Sequence, residues 1–413
     1  MKKYDIVVVG GGPAGAAAAW QAATAGASVL CVDKADFPRD KPCGDGLTPR
    51  GLSMLERMGL TTELERFHRI SYVKVRGHSS WQAEWPDRAG LPSFARTARR
   101  LDLDQLLLEH AAAAGAEVRQ SCEARAPLVE RGLVHGVEVR HGRSPSEQIR
   151  ADIVIAADGA YSPIKKKLGL RTRISGVTAV AIRAEMPAQR PEDPCFEVHM
   201  PLRPGGRSIP GYGWVFPLGA GRINVGVGYL TTFRQWRTAN LTGMLSDFVA
   251  TLPPDWRLPD IAELRKSKAV QAWRLPMGFT AWPPWHPGLL LAGDAAGAIK
   301  PSSGGGISKA LETGMEASIC ALEALSTTGP QDLSNYQRAL RQRYGMQYAA
   351  TRVGYRVGGN PFMVGLTFGM FDHSWFRRLA IGGVYGPAAV RGYRNGEGPL
   401  PSTAADTTQP LAG

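Results

Sequence analysis

The strongest constraint on this chain stands at its start. Ile6 to Val9 is an unbroken β-branched run that breaks at Gly10-Gly11-Gly12-Pro13-Ala14-Gly15, and an alanine-rich stretch, Ala14 to Ala25, follows. A continuous apolar run of this kind marks a strand buried inside a parallel sheet. Gly10, Gly12 and Gly15 fit G-x-G-x-x-G. Gly26 fits a helix C-cap, and Ser28 to Val32 reads as a second strand ending at Asp33. A carboxylate roughly 20 residues after such a glycine turn is placed to hold a ribose. The sequence therefore predicts a dinucleotide-binding strand–helix–strand unit. In it the first glycine makes the tight turn, the second admits a pyrophosphate, and the third lets helix and strand pack closely. The helix N-terminus offers its unpaired N–H groups and positive dipole to the phosphates.

A second, distant segment narrows the ligand. Leu289 to Ala292 reads as another buried strand, ended by Gly293-Asp294. Pro301-Ser-Ser-Gly304-Gly305-Gly306-Ile307 then leads into a helix through about Leu325. A carboxylate here can accept hydrogen bonds from ribityl hydroxyls. The helix that follows would aim its dipole at the N1–C2=O edge of a flavin ring. A nicotinamide dehydrogenase has no need of that second site, so the pair of segments points to FAD.

Composition bounds the rest. The chain has 413 residues, 44% hydrophobic and 21% charged, as expected of a globular protein with ample core. Its formal charge of +13 favours anionic partners such as a diphosphate or an anionic membrane face, or merely reflects a basic proteome. The basic residues are dispersed without a recognition motif, which argues against nucleic acid. Five cysteines without paired spacing argue against a disulfide framework and a zinc site, and suit a reducing cytoplasm. Ile6 to Val9 is too short for a signal peptide, and no run reaches the length of a membrane span. The shorter apolar segment Pro361 to Phe371 fits either core or a dip into a membrane surface.

Taken together, the glycine turn, the Gly293-Asp294 segment and Ala157-Asp158-Gly159-Ala160-Tyr161-Ser162 resemble the FAD-dependent proteins of the p-hydroxybenzoate hydroxylase fold. Arg100-Leu-Asp-Leu-Asp104-Gln-Leu-Leu107 matches their R-x-x-x-D-x-x-L, which implies that Arg100 contacts the flavin cofactor; read alone, it is a solvated helix start. Two stretches are more particular. Pro42-Cys43-Gly44-Asp45-Gly46, within Asp36 to Arg50, resembles the P-x-x-x-x-C-G region of geranylgeranyl reductases. Within that family it looks like the branch acting on the menaquinone isoprenoid tail. Tyr212-Gly-Trp214-Val-Phe216-Pro217, followed by Gly226-Val-Gly228, is similar to their Y-x-W-x-F-P…G-x-G substrate motif. The resemblance implies a cofactor-binding set of Gly10, Gly12, Pro13, Ala14, Gly15, Asp33, Lys34, Cys43, Gly44, Gly46, Arg100, Ala124, Asp158, Asp294, Gly306 and Ile307. It departs at Gly305, where the family often carries an acid.

The implied reaction is saturation of a carbon–carbon double bond in a prenyl chain, with hydride from reduced flavin N5, a task no side chain performs. Tyr212, Trp214 and Phe216 alternate along a strand and so share one face. By periodicity they are ordinary sheet core; by resemblance Tyr212 and Trp214 wall the apolar substrate. Cys43 is either a proton donor or a packing residue beside the flavin. The runner-up is an FAD monooxygenase hydroxylating or epoxidising a prenylated or aromatic metabolite, since the fold supports both. A flavin halogenase would carry W-x-W-x-I-P, which Gly213-Trp-Val-Phe-Pro217 is not. A non-catalytic lipid-binding module on the same fold is a further reading. No second dinucleotide fold is evident, so NAD(P)H would visit transiently or an external reductase would serve as redox partner.

The expected layout is an α/β protein. Residues 1–170 and 285–330 form a Rossmann-like FAD-binding domain, with a strand over Glu117 to Ala124 whose end lies by the adenine. Residues 171–284 form an inserted antiparallel-sheet substrate domain with strands Val177 to Ile182, Tyr212 to Pro217 and Arg222 to Gly228. Residues 331–395 form a helical region whose Trp375-Phe-Arg-Arg378 suits a peripheral membrane contact at the inner face, or a cap on the site. Residues 396–413 read as a disordered tail.

Overall fold

A computed structural model describes residues 3–357, apart from 78–79, 86, 88–89, 171–177, 190–192, 207, 233–235, 267–268 and 302. The segments Pro361 to Phe371 and Trp375 to Arg378, and the tail 396–413, lie outside the described residues.

The β-branched run forms the strand Lys3–Val9, the centre of an eight-stranded sheet. Val29–Val32 and Glu147–Ala156 flank it in parallel, with Ile6 opposite Val29 and Ile153. Leu289–Leu291 extends the sheet in parallel beyond Glu147–Ala156, and Glu117–Arg119 beyond Val29–Val32. Ile6 to Val9 are all buried, which explains why the strand carries no polar alternation. The strand expected over Glu117 to Ala124 is split. Ser121 takes a positive φ of 49°, and pairing restarts at Cys122–Glu130.

The helix Pro13–Thr24 leaves the glycine turn and packs against Ile307–Ser326 and Arg100–Ala113. The approach to Ile307–Ser326 is close. A Cβ on Gly314 would stand 2.0 Å from the carbonyl oxygen of Ala14. Here the alanine-rich face and a helical glycine are packing requirements rather than propensity.

A second, seven-stranded sheet runs Val270–Pro276, Thr178–Pro187, Arg222–Leu230, Gly211–Gly219, Cys195–His199, Tyr72–Arg76, Ser80–Glu84. The sequence reading confined it to 171–284 and made it wholly antiparallel. Instead its last two strands come from residues 72–84, and Tyr72–Arg76 pairs in parallel with Cys195–His199. Short polar strands with weak alternation carry no mark of the sheet they join. One face is covered by the helix Leu241–Ala250, with Val215, Val225, Val227, Leu245 and Phe248 in one cluster. Tyr212, Trp214 and Phe216 point to the opposite face, toward the first sheet's cofactor loops.

Helix Ser334–Val357 closes the described chain. Its Tyr336 hydroxyl donates to Leu291 O at 2.9 Å, and Tyr348 to Ala298 O at 3.1 Å. Beneath it Glu312, fully buried, accepts from Arg50 Nε at 2.6 Å, Lys309 Nζ at 2.7 Å and the Tyr344 hydroxyl. Burial pushes the Glu312 carboxyl up, but Lys309 and Arg50 outweigh it and bring it down to about 2. A carboxyl held below its unfolded value of 4.5 stabilises the fold above that pH and loses its contribution as pH falls toward about 2. Glu312→Gln removes the negative charge that faces Arg50 and Lys309 and is expected to cost about 3–5 kcal/mol at neutral pH. Calorimetric unfolding across that acid range should show a steep loss of stability in the wild type and a flatter one in the variant; parallel curves would refute the assignment.

Candidate FAD and substrate site

At the glycine turn each residue is held by geometry. Gly10 has φ 101°, and a Cβ there would lie 2.5 Å from Ala157 O. A Cβ on Gly15 would lie 1.7 Å from Gly10 O. Gly12 differs. It caps helix Pro13–Thr24 in an ordinary extended conformation, and its added Cβ would meet nothing nearer than Arg39 Nη2 at 3.4 Å. Gly10 and Gly15 are thus demanded by the protein itself, whereas Gly12 keeps an open cradle in front of a helix N-terminus. Asp33 accepts from Gly11 N at 2.7 Å and Ala35 N at 2.9 Å, which fixes its carboxylate beside the turn with lone pairs left for a ribose. Cys122 N donates to Asp33 O at 2.8 Å, so the start of the Cys122–Glu130 strand, with buried Ala124, abuts the same strand end. Lys34 is exposed.

Arg100 is buried, not a solvated helix start. It makes a bidentate pair with buried Asp104, both contacts at 2.6 Å. Asp104 also accepts from Arg39 Nη1 at 2.8 Å. Both guanidiniums stand within 4 Å of the position a Gly12 Cβ would take. Two cations on one carboxylate leave the cradle net positive, as a diphosphate requires. Arg39 was not singled out from the sequence. It lies in the quoted stretch before Cys43, but only its pairing with Asp104, 65 residues on, gives it a role.

The second segment meets the first. Gly293 has φ 57°, and its added Cβ would stand 2.8 Å from Ala14 Cβ. The Gly293-Asp294 turn therefore sits directly on the start of helix Pro13–Thr24. Gly293 N donates to Thr313 Oγ1 at 2.9 Å. Asp294 faces Lys41 at 3.2 Å. Gly306 precedes helix Ile307–Ser326 as its cap, so this helix also opens toward the site. Asp158 completes the junction, its Cα 3.1 Å from the added Gly10 Cβ. Burial pushes its carboxyl up to about 6, and its Oδ1 is buried without a partner while Oδ2 accepts from Ile164 N at 3.4 Å. An open glycine cradle, two helix N-termini and an orphaned buried carboxyl oxygen fit an FAD spanning the junction.

On the substrate side, loop 43–46 lies against the aromatic face. An added Gly44 Cβ would sit 3.5 Å from both Trp214 Nε1 and Phe216 Cε2. Tyr212 and Trp214 have ring centroids 5.9 Å apart, Trp214 and Phe216 6.4 Å. Tyr212 donates its hydroxyl to Ser303 O at 2.9 Å, tying this wall to the turn before Gly306. The added Gly305 Cβ would meet only Ser303 Oγ, at 3.3 Å. Trp214 is 6% exposed and lies over Gly226, where a Cβ would come within 2.1 Å of its ring. Burial raises the half-buried Cys43 thiol, and Asp45 adds to that.

Sequence reasoning missed Asn224 and Asp45. Trp214 Nε1 donates to Asn224 Oδ1 at 2.9 Å, and Asn224 Nδ2 donates to Cys43 O and Asp45 Oδ2, each at 2.7 Å. Asp45 is fully buried at a positive φ of 59°. Burial pushes its carboxyl up to about 7, and Glu185 adds to that against Arg183, Asn224 and Arg100. Asp45 lay inside a quoted motif and Asn224 inside the expected strand Arg222 to Gly228, but nothing linear announces a contact spanning 179 positions.

A family model described as FAD binding domain matches residues 3–349. Over 351 residues the chain is 36% identical to a menaquinone reductase of Mycobacterium tuberculosis, covering 84% of this chain and 82% of the relative. It is 33% identical to a digeranylgeranylglycerophospholipid reductase of Methanopyrus kandleri, over 81% and 85% of the two chains. Among solved structures, a geranylgeranyl bacteriochlorophyll reductase-like protein of Thermoplasma acidophilum superposes with a TM-score of 0.78 at 25% identity, over 91% of this chain and 92% of that one. A flavin-dependent brominase shares the fold with a TM-score of 0.71 at 18% identity, over 93% and 94%.

Proposed function

The chain belongs to the FAD binding domain family, in its geranylgeranyl reductase branch of FAD-dependent oxidoreductases, and from that premise we propose that it saturates carbon–carbon double bonds in the isoprenoid tail of a menaquinone-like or other prenyl lipid. The observation carrying this reading is the aromatic face of Tyr212, Trp214 and Phe216, laid against loop 43–46 and joined through Ser303 to the flavin-edge turn. Bound FAD, once reduced, supplies a hydride from N5.

The protein's own residues do the rest. Gly12, the helix start at Pro13 and the Arg39–Asp104–Arg100 cluster would hold the diphosphate. Asp33 would accept from the ribose hydroxyls, and Asp294, which faces Lys41, from the ribityl chain. The helix capped by Gly306 would lend its N-terminal dipole to the electron-rich ring edge. The aromatic rings exclude water, grip an apolar chain and stabilise positive charge developing on an alkene carbon. Cys43, half-buried and kept as the thiol by burial, would serve as the proton donor. The tail is met at a membrane surface, which suits a chain of charge +13. Among the described residues no helix is long and apolar enough to cross a membrane. NAD(P)H or an external reductase restores the electrons.

The test is anaerobic. With bound FAD chemically reduced, addition of menaquinone or a geranylgeranyl lipid should reoxidise it, and the lipid should gain two hydrogens per saturated bond by mass. Reoxidation by oxygen with an oxygenated product, and none by any prenyl lipid, would replace this reading with a monooxygenase.

A further inference from the structure

We propose that the isoprenoid tail lies in a trough across the second sheet, over Gly228 and Ala181, and leaves the protein past Trp273 and Tyr161, whose rings select for chain length. This deepens the prenyl-reductase reading and rests on it. The basis is one row of cross-strand neighbours. Tyr212 stands opposite Gly228, Gly228 opposite Ala181, and Ala181 opposite Trp273. Directly opposed residues share one face of a sheet. Tyr212 shows which face, since its hydroxyl reaches Ser303 O in the flavin-edge turn at 2.9 Å. At the far end of the row Trp273 meets the FAD-binding part again, edge-on against Tyr161 with ring centroids 5.3 Å apart at 86°. The strands bearing these two bridges are three spacings, or about 14 Å, apart. Between them the row carries no side chain larger than a methyl.

The rows on either side are filled. Trp214 lies over Gly226, whose added Cβ would come within 2.1 Å of its ring. Arg183, opposite Gly226, turns to Asp40 at 2.7 Å. On the other side Met277 and Ile299 pack with Ala179. Gly228 is different. The nearest atoms to a Cβ there would be Ala181 Cβ at 3.2 Å and Val180 O at 3.4 Å, both of its own sheet. Gly228 and Ala181 also stay partly exposed on inner strands of the sheet, whereas Gly226 and Arg183 beside them are buried. Their backbone is engaged in ladders on both sides, so the floor gives an apolar ligand nothing to desolvate. The trough thus has walls and no filling, and it runs across the strands from the flavin-edge turn outward. Val270–Pro276 is the last strand on that side of the sheet among the described residues, so the trough runs off the sheet at Trp273. Trp273 is half-buried there and Tyr161 is 63% exposed, a rim with apolar ring faces at the boundary with solvent. The bond being saturated stands by Tyr212, and the remaining isoprene units run out over the rim.

Ala181→Leu puts a branched side chain into the trough at a partly exposed position, and Trp273→Ala removes the rim. Neither touches the FAD cradle, so FAD affinity should stay in both. Anaerobically reduced wild-type flavin should be reoxidised faster by geranylgeraniol than by the half-length geraniol. Ala181→Leu should lower that preference about tenfold or more, through the long chain alone. Trp273→Ala should raise the KM for geranylgeraniol about tenfold at unchanged kcat. A second arm reads position instead of turnover. A farnesyl chain ending in a benzophenone, irradiated with the FAD-loaded protein, should label the peptides carrying Ala181, Tyr161 or Trp273, and Ala181→Leu should suppress that labelling. If Ala181→Leu fails to fold on thermal melting, Trp273→Ala and the wild-type labelling decide. An unchanged chain-length preference in the folded variants overturns the proposal, as does wild-type labelling confined to other peptides. Wild-type flavin that no prenyl chain reoxidises overturns the function instead, and the label still decides whether an apolar chain occupies the trough.

Discussion

Gly12→Val is expected to give a folded protein that binds no FAD. The backbone at Gly12 is extended, φ −73° and ψ −177°, so a branched residue adopts it without strain. The nearest atom to the new Cβ is the end of a flexible arginine at 3.4 Å. The apoprotein therefore tolerates the substitution. The diphosphate does not, because the valine methyls fill the space in front of the helix N–H groups. Losing two charge-assisted hydrogen bonds of about 2 kcal/mol each raises the dissociation constant by about 10³-fold. Gly15→Val is the contrasting control. Its Cβ would lie 1.7 Å from Gly10 O, a backbone atom that cannot move aside, so this variant should not fold at all. Titration of FAD into apoprotein, beside circular dichroism of both variants, separates the two. Normal FAD occupancy in Gly12→Val would show that the glycine turn is not the diphosphate cradle.

Trp214→Ala should produce the second large effect, on turnover and stability together, with the flavin spectrum kept. The ring is buried over Gly226, and the deletion leaves a void worth about 3–5 kcal/mol. It also removes the Trp214 N–H that Asn224 Oδ1 accepts from, which frees the amide and loosens loop 43–46. Prenyl turnover should fall about 10²-fold or more, while FAD, held by the other sheet, stays bound. Trp214→Phe restores most of the buried volume but not the N–H. It should recover stability on thermal melting and leave turnover depressed. Loss of FAD in Trp214→Ala, or full activity in Trp214→Phe, would reduce Trp214 to packing.

How much of this was written along the chain depends on the range of each constraint. The strand–turn–helix at the start is legible because its demands are local. A β-branched run, a turn needing φ 101°, and a third glycine against the first are all set within a dozen residues. The aromatic stripe of Tyr212, Trp214 and Phe216 is legible for the same reason, since alternation fixes a shared face. The parallel placement of Tyr72–Arg76 against Cys195–His199 was not, because a short strand carries no address for a partner 123 residues away.

The site divides the same way. The chain alone determined that a dinucleotide turn, a Gly-Asp segment and an aromatic strand exist, since each is a pattern of backbone freedom or side-chain period. Only the tertiary structure decided that Gly293 rests on Ala14, that Asp104 gathers Arg39 with Arg100, and that burial raises the Asp45 carboxyl where Asn224 ties it to Cys43 O. The reason is that burial and charge depend on distant neighbours. A carboxyl's proton affinity is set by whatever the fold brings within a few ångströms, and that is nowhere spelled out by residue order.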